Sequence, residues 1–191
     1  AAPTTYTATF TSVTRVPRAS LRVRGFDSQE TVGENGRATN AIDGNRATYW
    51  HTRWKGAAPK HPHHVDIDLG ATYPVTALYY LPRQSADYGR IAAYEVYAST
   101  DGVNWGTPVA RGRFVNSAAE QAAVFAAAPA RYLRLRALGE VKGRAWTTVA
   151  ELGVGVMGRL PRSTVTVRGF DSQETAGSDG RAVNVLDGDK A

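Results

Sequence analysis

Short stretches in which apolar and polar residues strictly alternate dominate this chain. Val65, Ile67 and Leu69 alternate with Asp66 and Asp68; Tyr94, Val96 and Ala98 alternate with Glu95 and Tyr97; Ala150, Leu152, Val154 and Val156 alternate with Glu151, Gly153 and Gly155. A period of two puts each set of side chains on its own face of an extended backbone, so these segments predict strands with one buried face. Gly, Pro, Asn and Asp turns separate them, and Ser99 to Trp105 predicts a hairpin-like turn centred on Asp101-Gly102. No segment offers a long amphipathic helix. The pattern predicts an all-β antiparallel sandwich or barrel.

Displacing the chain by 144 positions lays Arg15–Ala47 over Arg159–Ala191 with 20 of 33 positions identical, including Val-Arg-Gly-Phe-Asp-Ser-Gln-Glu-Thr at Val23 and again at Val167. A unit of that length is a domain, not a solenoid repeat. The expected organisation is a linker or the end of a preceding domain over residues 1–14, a complete module over 15–158, and the truncated start of a second copy over 159–191. That last piece carries one strand and a loop, too little to bury a core of its own. Any order in residues 166–191 is expected to come from the complete module or from a neighbouring chain's strand edge.

Composition removes several functions. With no cysteine, disulfides and thiolate metal sites are unavailable. The longest apolar run, Ala122–Ala128, stops at Pro129 and is far short of a membrane span, so no membrane partner is expected. A formal charge of +6 points toward nucleic acid, but the excess is arginine scattered through every segment, so none is expected as a partner. No nucleophile elbow and no phosphate loop is present, which argues against an enzyme. His61, His63 and His64 suggest a transition-metal cluster, yet adjacent strand residues point to opposite faces, which argues against zinc.

The chemistry concentrates in Asn40–Trp54. Asp43-Gly44 and Asn45 are turn formers that can aim several carbonyls at one point, and Asp43 and Thr48 add side-chain oxygens, an inventory suited to calcium. His51 and Trp54 follow, a hydrogen-bonding ring three residues from a flat apolar one. A sugar ring asks for both.

The string Asn-Ala-Ile-Asp-Gly-Asn-Arg-Ala-Thr-Tyr-Trp-His-Thr from Asn40 resembles the discoidin-like, coagulation factor V/VIII C-domain fold. So do His64–Gly70, Tyr80–Gln84, Tyr94–Trp105, Ala130–Leu135 and Thr148–Leu152. More narrowly, these motifs are similar to carbohydrate-binding module family 32, nearest to the galactose-binding modules of galactose oxidase and bacterial sialidases. The resemblance implies an eight-stranded antiparallel jelly-roll β-sandwich. It implies a structural calcium held by Asn40, Asp43, Asn45, Thr48, Ala150 and Glu151, and sugar contacts from Glu34, His51, Trp54 and Arg83. Asp87, Tyr88 and Trp146 complete the candidate ligand set, the two aromatics as a further wall.

On this reading the chain is a non-catalytic module for terminal galactose or N-acetylgalactosamine. It tethers a secreted, extracellular carbohydrate-active enzyme to a galactose-containing glycan, with a catalytic domain and a second module in the same parent. Ser178 stands in the second copy where the first has Glu34, so the copies are not expected to bind alike. The alternatives are a discoidin-like domain that grips lipid or protein, and a structural spacer in an oxidase or glycosidase. Apolar loop tips would favour the first alternative. The candidate loops instead carry Glu34, His51, Arg83 and Asp87 around single aromatics.

Overall fold

A computed structural model describes residues 11–159; the second copy and most of the N-terminal linker lie outside the described residues, as does the question of what orders residues 166–191. The described chain contains β1 (Thr11–Arg15), η1 (Arg18–Ser20), β2 (Arg22–Phe26), η2 (Ala38–Ile42), β3 (Trp50–His51), β4 (His63–Leu81), β5 (Ala93–Ser99), β6 (Ala110–Arg113), β7 (Gln121–Ala137), β8 (Thr148–Val149) and β9 (Glu151–Arg159), where η marks a 3₁₀ turn. Its compact unit runs from Val13 to Met157. Residues 11–14, expected in the linker, belong to β1, which is hydrogen-bonded to β9. The internal repeat marks where the two copies begin to match, which is not where strand pairing begins.

Seven strands form one sheet in the order β1-β9-β4-β7-β5-β6, with β2 also on β4, and β3 pairs separately with β8. The sheet becomes two layers because β4 and β7 are long enough to serve both. The first half of β4 pairs with β2 and with the end of β7, Val65 lying opposite Leu135. Its second half pairs with β9 and with the start of β7, Leu78 lying opposite Val154 and Ala123. Gly70, at a φ of 82°, sits between the halves, where the register shifts between Asp68 and Tyr73. A side chain there is strained by the left-handed backbone and crowded by the Ser20 carbonyl, 3.3 Å from where a Cβ would be. The result is the expected all-β jelly-roll sandwich.

The alternating apolar positions fill its centre. Val65, Ile67, Leu69, Leu78, Val96, Leu133, Leu135, Leu152 and Val154 are buried, and Trp50 closes the core under β3 while its Nε1 donates to the Ser28 carbonyl at 2.9 Å. Each such side chain contributes about 1.5–3 kcal/mol of transfer free energy. The outward positions of β4, β5 and β7 carry a ladder of paired charges. Arg134 grips Asp66 with two bonds of 2.7 Å, Arg131 grips Asp68 at 3.0 and 3.1 Å, and Glu95 takes both Arg136 and Arg111. Many of the scattered arginines therefore neutralise acids on the chain's own sheet.

Candidate functional site

The site grows from the short β3–β8 pair. His51 lies opposite Thr148, its N–H donates to the Gly36 carbonyl, and its carbonyl accepts from Glu30 N. Glu30 and Gly36 close the 31–35 loop through a bridge of their own, with Gly36 N donating to the Glu30 carbonyl. Three separate stretches of chain are thereby fixed around one imidazole. Gly36 is required there, because a Cβ would lie 2.8 Å from His51 Cβ.

A fully buried carboxylate organises the rim. Glu30 Oε1 accepts from the N–H groups of Val32 and Gly33, and Oε2 from those of Trp54 and Lys55, all within 3.0 Å. One side chain thus holds the 31–36 loop and the Trp54 loop together. Four backbone donors outweigh the cost of burial and pull its pKa down to about 2. Glu140 does the same on the other side, accepting from the N–H groups of Gly89, Lys142 and Arg144. Thr148 fixes Tyr88 by donating Oγ1–H to its carbonyl at 2.8 Å.

Glu34, His51, Trp54, Arg83, Tyr88 and Trp146 line one open depression of about 250 Å³. Trp54 and Tyr88 are exposed at 40% and 48%, so neither is core packing. The His51 ring centre lies 6.2 Å from that of Trp146 and 6.5 Å from that of Trp54. Its Nδ1 is 2.5 Å from the Thr52 carbonyl, which makes Nδ1 the protonated nitrogen and leaves Nε2 as an acceptor facing the depression. Burial lowers the His51 pKa, against the opposing pull of Thr52 and Glu34, so the ring is neutral at neutral pH. Glu34 is steadied by Trp54 Nε1–H at 3.0 Å and Tyr49 O–H at 2.7 Å. Arg83 stacks 4.1 Å over the Tyr49 ring and spends only Nε, on Ser85 Oγ. Among the described residues its terminal nitrogens are unspent.

Asp87 departs from expectation. It does not line the depression, because Lys142 holds its carboxylate at 2.5 Å and lowers its pKa. Two residues that the sequence reading passed over are structural parts of the site. Tyr49 joins Glu34 to Arg83, and burial and Glu34 raise its pKa to about 12. Glu30 was legible in principle: it lies in the nine-residue string that both copies keep unchanged. His63, expected as a strand residue without a metal, is buried between Asp27, 2.6 Å from Nδ1, and the Ala145 carbonyl, 2.7 Å from Nε2. That arrangement anchors the chain just before Trp146.

The turn after η2 gathers four of the six residues expected to hold calcium. Thr48 Oγ1–H is 2.6 Å from Asp43 Oδ2 and 2.8 Å from the Asn45 carbonyl, Asn45 N donates to Asp43 Oδ1, and Gly44 N donates to Glu151 Oε1 at 2.7 Å. The other Glu151 oxygen pairs with the half-exposed Arg18 guanidinium. Burial raises the pKa of Glu151, Arg18 opposes this, and nearby Asp43 adds to it. Asn40 is buried with its side-chain amide donating to the Asn35 and Tyr49 carbonyls, and Ala150 donates its N–H to Leu81. Among the described residues no three acidic or histidine side chains converge as a metal cluster. Any ion here would lean on two carboxylates and on neutral oxygens.

A jelly-roll sandwich with an aromatic and polar mouth on its loops has the architecture of a discoidin-like carbohydrate-binding module. The F5/8 type C domain family matches residues 26–152, and the chain belongs to that family. It is 47% identical over 154 residues to a sialidase of Micromonospora viridifaciens, covering 80% of this chain and 23% of that protein. It is 44% identical over 130 residues to a galactose oxidase of Gibberella zeae, covering 67% of this chain and 19% of the oxidase. The chain thus spans less than a quarter of either relative. Among solved structures, it is similar to a family 32 module of Clostridium perfringens NanJ in complex with galactose, with a TM-score of 0.65, 29% identity, and coverage of 75% of this chain and 99% of that one. It is also similar to CpGH89CBM32-5 of the same organism, in complex with GalNAc-β-1,3-galactose, at TM-score 0.68 and 31% identity over 74% of this chain and 99% of that one. The fold is therefore that of a family 32 carbohydrate-binding module.

Proposed function

We propose that the depression around His51 binds terminal galactose or N-acetylgalactosamine, and that the module is a non-catalytic tether for a secreted, extracellular carbohydrate-active enzyme. The convergence of Glu34, His51, Trp54, Arg83, Tyr88 and Trp146 on one depression carries this reading. The axial hydroxyl of galactose gathers polar groups on one side and leaves a C–H patch on the other. An indole can cover the patch, while the two free nitrogens of Arg83 donate to adjacent hydroxyls and His51 Nε2 and Glu34 accept. Galactose-bound neighbours and relatives named sialidase and galactose oxidase support the same reading. A shallow single site of this kind binds at about 0.1–1 mM, roughly −4 to −5.5 kcal/mol.

The same reading includes a structural calcium held by Asn40, Asp43, Asn45, Thr48, Ala150 and Glu151. The donor chemistry fits a hard cation: two carboxylates, a hydroxyl and amide oxygens. Burial and, to a lesser degree, nearby Asp43 raise the pKa of Glu151 even though Arg18 pairs with it, so added positive charge there would be stabilising. When bound, the ion would neutralise both carboxylates and lock the turn that leads into β3.

Titration calorimetry with galactose, N-acetylgalactosamine, lactose and glucose tests the sugar reading. Heat is expected from the first three, weak or none from glucose, and at least a tenfold loss in His51→Ala. Binding to anionic liposomes with no sugar response would sink it.

A further inference from the structure

The loop that carries Glu34 has a second depression on it. Thr31, Val32, Gly33, Glu34, Asn35 and Arg37 line an open space of about 260 Å³, and Glu34 is the residue it shares with the His51 site. Some of its polar groups are committed and others are not. Val32 N and Gly33 N are committed to Glu30, and the two Glu34 oxygens to Tyr49 and Trp54. Among the described residues, no hydrogen bond engages the Thr31 hydroxyl, the Asn35 side-chain amide or the Arg37 guanidinium. Arg37 meets no carboxylate there either.

Elsewhere on the chain Arg134 pairs with Asp66, Arg131 with Asp68 and Lys142 with Asp87, and Arg83 stacks on Tyr49. A guanidinium kept free beside a hydroxyl and an amide is a donor-rich wall, and its geometry matches a carboxylate or sulfate. The Glu34 oxygens themselves are held by Tyr49 and Trp54. We propose that this depression is a subsite for an anionic substituent, a carboxylate-bearing sugar or a sulfate ester, linked to the galactose held beside His51. The inference rests on the galactose reading and deepens it: the module selects acidic galactosides over neutral ones. Arg181 stands at the matching position of the second copy, where Ser178 replaces Glu34. The anionic preference is therefore separable in sequence from the Glu34 contact.

Arg37 lends itself to a clean test, because its structural duty is carried by the backbone: its carbonyl accepts from Asn40 N at the start of η2. Calorimetry on the whole chain would compare lactose with 3′- and 6′-sialyllactose and with 3-O- and 6-O-sulfogalactose, in wild type, Arg37→Ala and Arg37→Lys. An exposed charge pair predicts that at least one acidic ligand binds about three- to fivefold tighter than lactose at low salt. That gain should vanish in Arg37→Ala, survive in part in Arg37→Lys, and fade at high ionic strength. Lactose affinity should be the same in all three proteins. The sialyl and sulfo arms identify which anion is taken. Lactose binding with no acidic gain, or a gain that survives Arg37→Ala, overturns the subsite and leaves the galactose reading standing. Absence of binding by every ligand overturns both.

Discussion

Gly33 shows how narrowly the site depends on single atoms. A Cβ at this position would lie 2.6 Å from Trp54 Cζ2 and 2.8 Å from Cη2, so the indole can keep its place only because the loop has no side chain there. Gly33→Ala should cost galactose affinity about tenfold or more while shifting the melting temperature little, since Trp54 is exposed; calorimetry beside a thermal melt separates the two effects. Glu30 has the opposite profile, contributing to stability before function. Its folded pKa of about 2 is depressed below an unfolded value near 4.3, so its contribution is complete above that value and is lost as pH falls toward 2. Glu30→Gln should flatten that acid limb in denaturant titrations and lower stability at neutral pH by about 1–3 kcal/mol for each backbone donor it strands. The family motifs singled out Glu34, His51, Trp54 and Arg83, and the fold brings those four to one depression. Glu30 went unnoticed and Asp87 falls outside the depression for a shared reason: what a loop acid faces depends largely on neighbours more than twenty residues away.

Among the elements, β4 and β7 explain both what the sequence revealed and what it hid. The alternation of Val65, Ile67 and Leu69 with Asp66 and Asp68 identified the strand and its core-facing apolar set correctly, because those three side chains share one face and are all buried. The continuity of β4 across Gly70 was invisible, since a glycine at a strand end and a glycine at a bend look the same in sequence. Outward polarity also proved a poor guide to exposure: Asp66 is only 5% accessible beneath Arg134, which itself stacks 4.3 Å over Trp105. Breaking that pair from one side leaves a buried charge alone, so Arg134→Leu should destabilise by about 2–4 kcal/mol. The double variant Asp66→Val with Arg134→Leu should recover most of the loss, and a double-mutant cycle by urea unfolding reads the coupling directly. An additive result would mean that the ladder is decoration.

Over the whole molecule, the proposed calcium links the turn after η2 to the start of β9, so its removal should be felt as global stability. Chelation is expected to lower the melting temperature reversibly by about 5–10 °C, the effect of a ligand held at a hundredfold excess over its dissociation constant. An unchanged melt across a wide range of calcium and chelator would remove the ion from the account. Another global property follows from the sheet order. Val16 N donates to the Val154 carbonyl and Val13 packs toward Gly155, so β1 runs opposite to its neighbour β9. The start of β1 and the end of β9 therefore lie side by side. Glu151, at the other end of β9, lies about 25 Å away along the strand, close in sequence to Trp146 and Thr148. With both ends of the compact unit at one pole of β9 and Thr148 and Glu151 near the other, a change at either end of Val13–Met157 falls a strand's length from the depression.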